Sequence, residues 1–229
     1  MLYVVGTPIG NLEDLSLRQA RAISQAEIIL SEDTRSTGIL LQKIKVLFPS
    51  ILDTSHSPRL ISYYREKEFE KLPEIIELLE ADRDLVLISQ AGMPLISDPG
   101  LLLIQTAIKR DIPFTVIPGP TAATTALVYS GFNPEFSMFI GFLPKKSSHL
   151  KKLLAKLYEI KKLIPEASFI LYESGHRVIE TLTVIHDIFP ENKVVIAREL
   201  TKKFEEIIRG SATDLIQRNY KGELTLVLT

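Results

Sequence analysis

Short apolar runs alternate with amphipathic stretches along most of the chain, and each run stops at a glycine, a proline or a polar cluster. Leu2–Val5 is such a run, closed by Gly6, Pro8 and Gly10, and is expected as a buried strand that opens into a loop. Leu17, Ala20 and Ile23 follow Ser16 at helical spacing, so residues 16–26 are expected as a helix with Ser16 as its N-cap. Ile28-Ile29-Leu30 reads as a second strand, ended by Ser31-Glu32-Asp33-Thr34-Arg35. A helical pattern covers 60–81, and Leu85-Val86-Leu87-Ile88 reads as a strand running into Gln90-Ala91-Gly92-Met93-Pro94. Residues 99–109 then look helical, and Phe114-Thr115-Val116-Ile117 extended. Strands that are apolar on both faces and alternate with helices predict a mostly parallel sheet covered on both sides.

Pro118-Gly119-Pro120 interrupts this pattern, because two prolines around a glycine forbid regular structure and fix a turn. The expected division is an N-terminal α/β domain, 1–117, and a C-terminal α/β domain, 118–229. Beyond the break, helices are expected at 121–131, 148–162 and 176–188, and strands at 137–142, 168–172 and 193–197. Residues 204–209 and 223–229 alternate more strictly, the pattern of antiparallel strands.

Composition narrows the chemistry. With 229 residues, 45% of them hydrophobic, the chain has ample material for one large core or two compact ones. It has no cysteine, which excludes disulfides, thiolate catalysis and cysteine-ligated zinc. No apolar run nears the roughly 20 residues that cross a bilayer, and Met1-Leu2-Tyr3-Val4-Val5-Gly6 lacks a secretory leader's basic start. A cytoplasmic protein with no membrane partner is expected. The four histidines, His56, His149, His176 and His186, lack metal-ligand spacing, so no metal is expected. Net charge is −1; residues 1–117 carry 12 Lys/Arg against 16 Asp/Glu, and residues 118–229 carry 15 against 12. A polyanion would thus be drawn, weakly, to the second half.

Glycines and prolines fall where chemistry is expected. Gly6-Thr7-Pro8-Ile9-Gly10-Asn11, Gln90-Ala91-Gly92-Met93-Pro94 and Pro118-Gly119-Pro120-Thr121 each follow an expected strand. In an open α/β sheet the carboxyl ends of the strands form the ligand crevice, and glycines there admit close approach of backbone. The dinucleotide fingerprint, the phosphate-binding P-loop, the G-x-S-x-G elbow and H-E-x-x-H are all absent.

Taken in order, several blocks resemble the tetrapyrrole methylase family, and within it the branch that methylates a ribose in small-subunit ribosomal RNA. They are Leu2 to Leu12, Ser31-Glu32-Asp33-Thr34-Arg35, Pro94-Leu95-Ile96-Ser97-Asp98-Pro99-Gly100 and Pro118-Gly119-Pro120-Thr121-Ala122. Further along come Gly141-Phe142-Leu143-Pro144, Leu171-Tyr172-Glu173-Ser174 with His176-Arg177, and Ala197-Arg198-Glu199-Leu200-Thr201-Lys202. The resemblance implies two α/β domains with S-adenosylmethionine in a cleft between them, a homodimer, and 2′-O-methylation of a cytidine in 16S ribosomal RNA. Carried over by residue, it makes Thr7, Pro8, Gly10, Gly92, Met93, Pro94, Ile96, Ser97, Pro120, Thr121 and Ala122 the cofactor cradle. It makes Glu32, Asp33, Glu173, His176 and Glu199 candidates for the proton transfer that a hydroxyl acceptor requires. It offers Arg35, Arg177, Arg198 and Lys202 as contacts to ribosomal RNA or the small subunit, since arginine suits bidentate phosphate binding.

Each cluster also has a plainer reading: an N-cap and local ion pair at 32–35, a salt-bridged helix start at 173–177, a solvated turn at 198–203. The chain departs from the branch at Gln90 and Met93, where aspartate and threonine are usual, and at Gly175, where proline is usual. Those departures motivate the alternatives of a small-molecule or tetrapyrrole acceptor, or a cofactor-binding relative without catalysis. Finally, 145–162 holds seven lysines and one acidic residue, Glu159. Lys151, Lys152, Lys156 and Lys162 share one arc of its expected helix, which suits either an RNA backbone or a solvated surface.

Overall fold

A computed structural model describes residues 1–49, 57–191 and 193–229; His56 lies outside the described residues. Close contacts divide the chain into two units, Met1–Thr121 and Ala122–Thr229. In the first, β1 (Leu2–Val5), β2 (Ile28–Ser31), β3 (Arg59–Ser62), β4 (Leu85–Ile88) and β5 (Phe114–Ile117) form one sheet in the order β3-β2-β4-β1-β5. Every pairing in it is parallel.

The continuous apolar character of these strands has a direct cause. Leu2, Val4, Leu30, Leu85 and Leu87 face one cluster, with Ile75 and Leu103 from the helices. Their neighbours Val5, Ile29, Val86 and Ile88 face the opposite cluster, with Ile23 and Ile44. A strand covered on both faces has no polar position to alternate with. Each fully buried leucine or isoleucine contributes about 1.5–3 kcal/mol. Because all five strands run the same way, their carboxyl ends, and the loops after Val5, Ser31, Ile88 and Ile117, share one edge.

The helices of this unit are α1 (Leu17–Gln25), α2 (Thr34–Leu47), α3 (Glu68–Glu80) and α4 (Leu101–Lys109). Ser16 caps α1 as expected, in a reciprocal box with Gln19. Two differences from the expected elements have physical reasons. Residues 60–62, expected as the start of a helix, pair with β2 as part of edge strand β3, Ile61 being an apolar position that fits either period. The segment 34–47, given no element from the sequence, is helical, yet Ile39, Val46 and Leu47 are exposed apolar residues, so its stripe is blurred. Its N-cap is Asp33.

The second unit contains α5 (Ala122–Ser130), β6 (Ser137–Phe142), α6 (Ser147–Leu163), β7 (Ser168–Ser174), α7 (Val178–Ile188), β8 (Val194–Arg198), β9 (Glu206–Gly210), α8 (Ala212–Ile216) and β10 (Glu223–Leu228). Its sheet order is β6-β7-β10-β8-β9. The mostly parallel character expected of both sheets belongs to the first. Here only β6 and β7 pair in parallel, and β10 inserts antiparallel between β7 and β8. The strict alternation read at 204–209 and 223–229 marks those antiparallel strands. Helix α8 was not expected; five residues are too few to show a period. The core packs α6 and α7 on one face through Leu150, Leu154, Leu157, Leu182 and Ile185.

Candidate cofactor and acceptor site

In the first unit the loops after β1, β4 and β5 are stitched together by backbone. Thr7 and Gly92 exchange N–H···O bonds of 2.8 and 3.0 Å, an isolated antiparallel bridge. The buried Thr7 hydroxyl donates to the Ser89 carbonyl at 3.2 Å, and Ser89 Oγ donates to the Gly92 carbonyl at 2.9 Å. Gly6 passes against Gly119 so closely that a Cβ on Gly6 would lie 2.6 Å from Met93 Sδ and 2.7 Å from the Gly119 nitrogen. Met93 Sδ in turn accepts from the Gly119 N–H at 3.2 Å. The residue that departs from the expected pattern is therefore a working part of the loop crossing. Gln19 completes it from α1, donating to the Gly6 carbonyl at 2.7 Å.

The loop after β4 holds a conformation that few side chains adopt freely. Gly92 has φ 84°, and Leu95 and Ser97 have φ 70° and 72°. Left-handed backbone at non-glycine residues costs of order 1 kcal/mol each and gathers where a ligand is clamped. Between those two residues, the apolar Ile96 side chain is exposed. Pro94 and Pro8 are buried, whereas Gly10, Pro120 and Thr121 retain access to solvent.

Beside the crossing, a cleft of about 150 Å³ opens between the ends of β1, β2 and β4. Thr7, Pro8, Ser31, Glu32, Asp33, Lys43, Ser89 and Gln90 are among the residues that line it. Ser31 Oγ is buried and has no hydrogen-bond partner among the described residues. Such a group costs about 1–3 kcal/mol unless a ligand or water satisfies it. Asp33 is committed to its helix: Oδ1 accepts from the Arg35 N–H at 2.8 Å and Oδ2 from Ser36 Oγ at 3.1 Å. Those bonds, the Arg35 amide foremost, hold its pKa below the ordinary aspartate value. The plainer reading of Asp33, as an N-cap, describes its contacts here.

Asp98 lies in the block Pro94 to Gly100, and the resemblance implies no role for it. Burial, then the neighbouring Glu32 carboxylate, pushes its pKa up to about 6, against the opposing pull of Ser89 and Arg65. Sequence spacing carried no signal for this, since Glu32 and Asp98 are 66 positions apart and meet only through the β2-β4 pairing.

In the second unit β6, β7 and β8 point the same way, and their carboxyl ends gather Glu173, His176, Arg177, Arg198, Glu199 and Lys202 along one edge. Within that edge two groups form. Glu173 is buried, accepting from the Ser174 N–H and from Thr181 Oγ1, both at 2.8 Å. Arg177 lies 3.5 Å from Glu173 Oε1 and donates to the carbonyls of Leu143 and Pro144 at 3.3 and 2.7 Å. The pair thus braces β7, α7 and the chain entering α6, which corresponds to the salt-bridged helix start. His176 is exposed, its ring without a partner among the described residues.

The other group centres on Lys202, 2.7 Å from Glu223 and 3.3 Å from Glu199. Partial burial opposes the Lys202 charge, yet Glu223 and Glu199 outweigh it and raise its pKa. Glu199 accepts from the Glu223 N–H at 2.8 Å; that bond first, with Lys202 and Arg198, lowers its pKa against partial burial. Arg198 pairs with Glu206 at 3.1 Å. Among the described residues no cluster of metal-ligating side chains forms, and no helix is long and apolar enough to cross a membrane.

Comparison with known proteins matches residues 1–216 to the model of the tetrapyrrole (corrin/porphyrin) methylases. A protein of Hydrogenobaculum sp. named ribosomal RNA small subunit methyltransferase I is 44% identical, covering 100% of this chain and 95% of its own. Proteins of the same name from Mycoplasmopsis pulmonis and Thermotoga maritima are 41% and 36% identical, covering 99% and 100% of this chain and 96% and 97% of theirs. Among solved structures, diphthine synthase superposes with a TM-score of 0.70 at 12% identity, covering 100% of this chain and 88% of that one. The uroporphyrin-III C-methyltransferase of Thermus thermophilus, solved with S-adenosylhomocysteine, gives 0.63 at 15% identity over 99% and 96%. Those two share the fold. By the full-length relatives and the family model together, the chain belongs to the tetrapyrrole methylase family.

Proposed function

We propose that this protein transfers a methyl group from S-adenosylmethionine to the 2′-hydroxyl of a cytidine in 16S ribosomal RNA. It is a methyltransferase, and the observation that carries the finer reading is full-length identity of 36–44% to proteins named for the small-subunit RNA. The residues present fit the cofactor. Gly6 and Gly119 pack too closely to admit a Cβ, which fixes the three loops against one another, and the strained Leu95–Ser97 segment presents an exposed Ile96. The backbone around Gly92, Met93, Ile96, Ser97 and Pro120 would hold S-adenosylmethionine, which when bound supplies an electrophilic methyl group on its sulfonium.

The protein's own part is positioning, exclusion of water and removal of one proton. A ribose hydroxyl attacks poorly until it gives up its proton, and a base works best when its pKa lies near the operating pH. Asp98, with Glu32 beside it, meets that condition, and Ser31 offers a hydroxyl inside the adjoining cleft. We assign the base to this carboxylate pair in place of Glu173, whose two oxygens are already engaged. Arg35 and Lys43 stand ready for RNA phosphate near the cleft. Placement in the cytoplasm and assembly as a homodimer complete the reading; the exposed Met138, Phe139 and Phe142 on edge strand β6 support the second.

The test is methyl transfer from labelled cofactor to small subunits prepared from cells lacking the protein, with the modified nucleotide mapped. One ribose methylated on a cytidine is expected, with kcat lowered about 100-fold in Glu32→Gln/Asp98→Asn. Label on a base, or on a small molecule and no RNA, would overturn the reading.

A further inference from the structure

The lysines of α6 are arranged against the interests of the helix that carries them. Leu150, Leu154 and Leu157 bury one face against the second sheet. Lys161 turns inward to the Ala167 carbonyl and Thr229 Oγ1. Lys162 pairs with Glu159 at 2.6 Å and lies over the Tyr158 ring. Lys145, Lys146, Lys151, Lys152 and Lys156 remain, all exposed and none with an acidic partner among the described residues. Lys146 is the N-cap residue, offers no side-chain cap, and the first turn contains no acid. Cations at that end oppose the helix dipole, and the like charges at 152 and 156, four apart, repel by a few tenths of a kcal/mol. A merely solvated helix gains nothing from this pattern, since mixed signs serve solubility as well and stability better.

The helix start is also held in place. Arg177, paired with Glu173, grips the carbonyls of Leu143 and Pro144 immediately before Lys145. These two motif residues thereby fix the point from which the lysines project. From Lys146 to Lys156 the unpaired lysines span about 15 Å, a length over which double-stranded nucleic acid presents several phosphates.

We propose that this lysine face of α6 is a docking surface for the sugar-phosphate backbone of the ribosomal RNA substrate, separate from the loops that hold cofactor. The proposal rests on the RNA reading above, and its experiment distinguishes the two. Binding of protein-free 16S rRNA and of intact small subunits is measured by filter retention between 50 and 200 mM salt, alongside methyl transfer and cofactor calorimetry. The wild type is compared with K151E/K152E/K156E and with K151R/K152R/K156R. The glutamate variant is expected to lose at least tenfold in RNA affinity. Its plot of log affinity against log salt flattens by about 2–3, at roughly 0.7–0.9 per lost phosphate contact. Cofactor affinity stays put, the melting temperature holds or rises slightly because acids near the start of α6 suit its dipole, and the arginine variant keeps the wild-type slope.

An unchanged slope in the glutamate variant, with an active wild type, overturns this proposal and leaves the function standing. So does lost binding to subunits with unchanged binding to bare rRNA, which would hand the surface to a ribosomal protein. A wild type that neither binds nor methylates rRNA overturns both.

Discussion

Asp98 shows how a single side chain takes its character from neighbours distant in sequence. Burial, then Glu32, raises its pKa from 3.8 to about 6. The native state therefore keeps a proton that the unfolded chain releases near pH 4, so stability falls as pH rises from about 4 to about 6 and is level above. Asp98→Asn removes this penalty. It is expected to equal the wild type near pH 4 and exceed it at pH 7.5 by about 1 kcal/mol, once solvent screening of a half-buried group is allowed for. Denaturant titrations at the two pH values check this, and equal gains at both would contradict the assignment. At Gly6 the deciding quantity is space. Gly6→Ala must displace backbone at Gly119, which cannot swing away as a side chain can. We expect a loss of about 1–3 kcal/mol and a cofactor affinity weakened at least tenfold by calorimetry.

Among elements, the joints are polar although the bodies are apolar. Glu173 links β7 to Thr181 on α7 and to Arg177, its carboxylate almost wholly removed from water. Deleting it strands a half-buried guanidinium and a buried hydroxyl, so Glu173→Ala is expected to lower stability by about 3 kcal/mol, and Glu173→Gln by less. Chemical denaturation followed by circular dichroism measures both; equal small losses would mean the brace is slack. Glu68 plays the same part in the first unit, accepting from Tyr63 OH and from the Gly100 and Leu102 amides at the start of α4. Neither joint is visible in hydrophobic periodicity, because one polar residue among many leaves no pattern.

For the whole molecule, ligand and assembly predictions follow. A cofactor that binds only the folded chain stabilises it by about 2.7 kcal/mol at 100 times its Kd, so S-adenosylmethionine is expected to raise the melting temperature in a dose-dependent way. A scan unaffected at millimolar cofactor would count against the loop crossing as its cradle. The apolar edge of β6, where Phe142 is two-thirds exposed, is expected to be covered in a dimer. Sedimentation should then show two chains for the wild type and one for Phe142→Glu; a monomeric wild type would dispose of the assembly.

Strands buried on both faces, the break in regular structure at Pro118-Gly119-Pro120, the capped start of α1 and the ordered motif blocks were legible in the sequence, because each is written in local residue types. Edge strand β3, helix α2 and the antiparallel insertion of β10 were not. An edge strand is chosen by its partner, a helix with a blurred stripe by its packing, and strand order by the path of the whole chain. The same division runs through the site. Which loops carry glycine and proline was readable from residue order alone. That Gly6 meets Gly119 through Met93, that Asp98 meets Glu32, and that Glu173 is consumed as a brace were decided by the fold, since contacts between residues dozens of positions apart exist only after the sheets have formed.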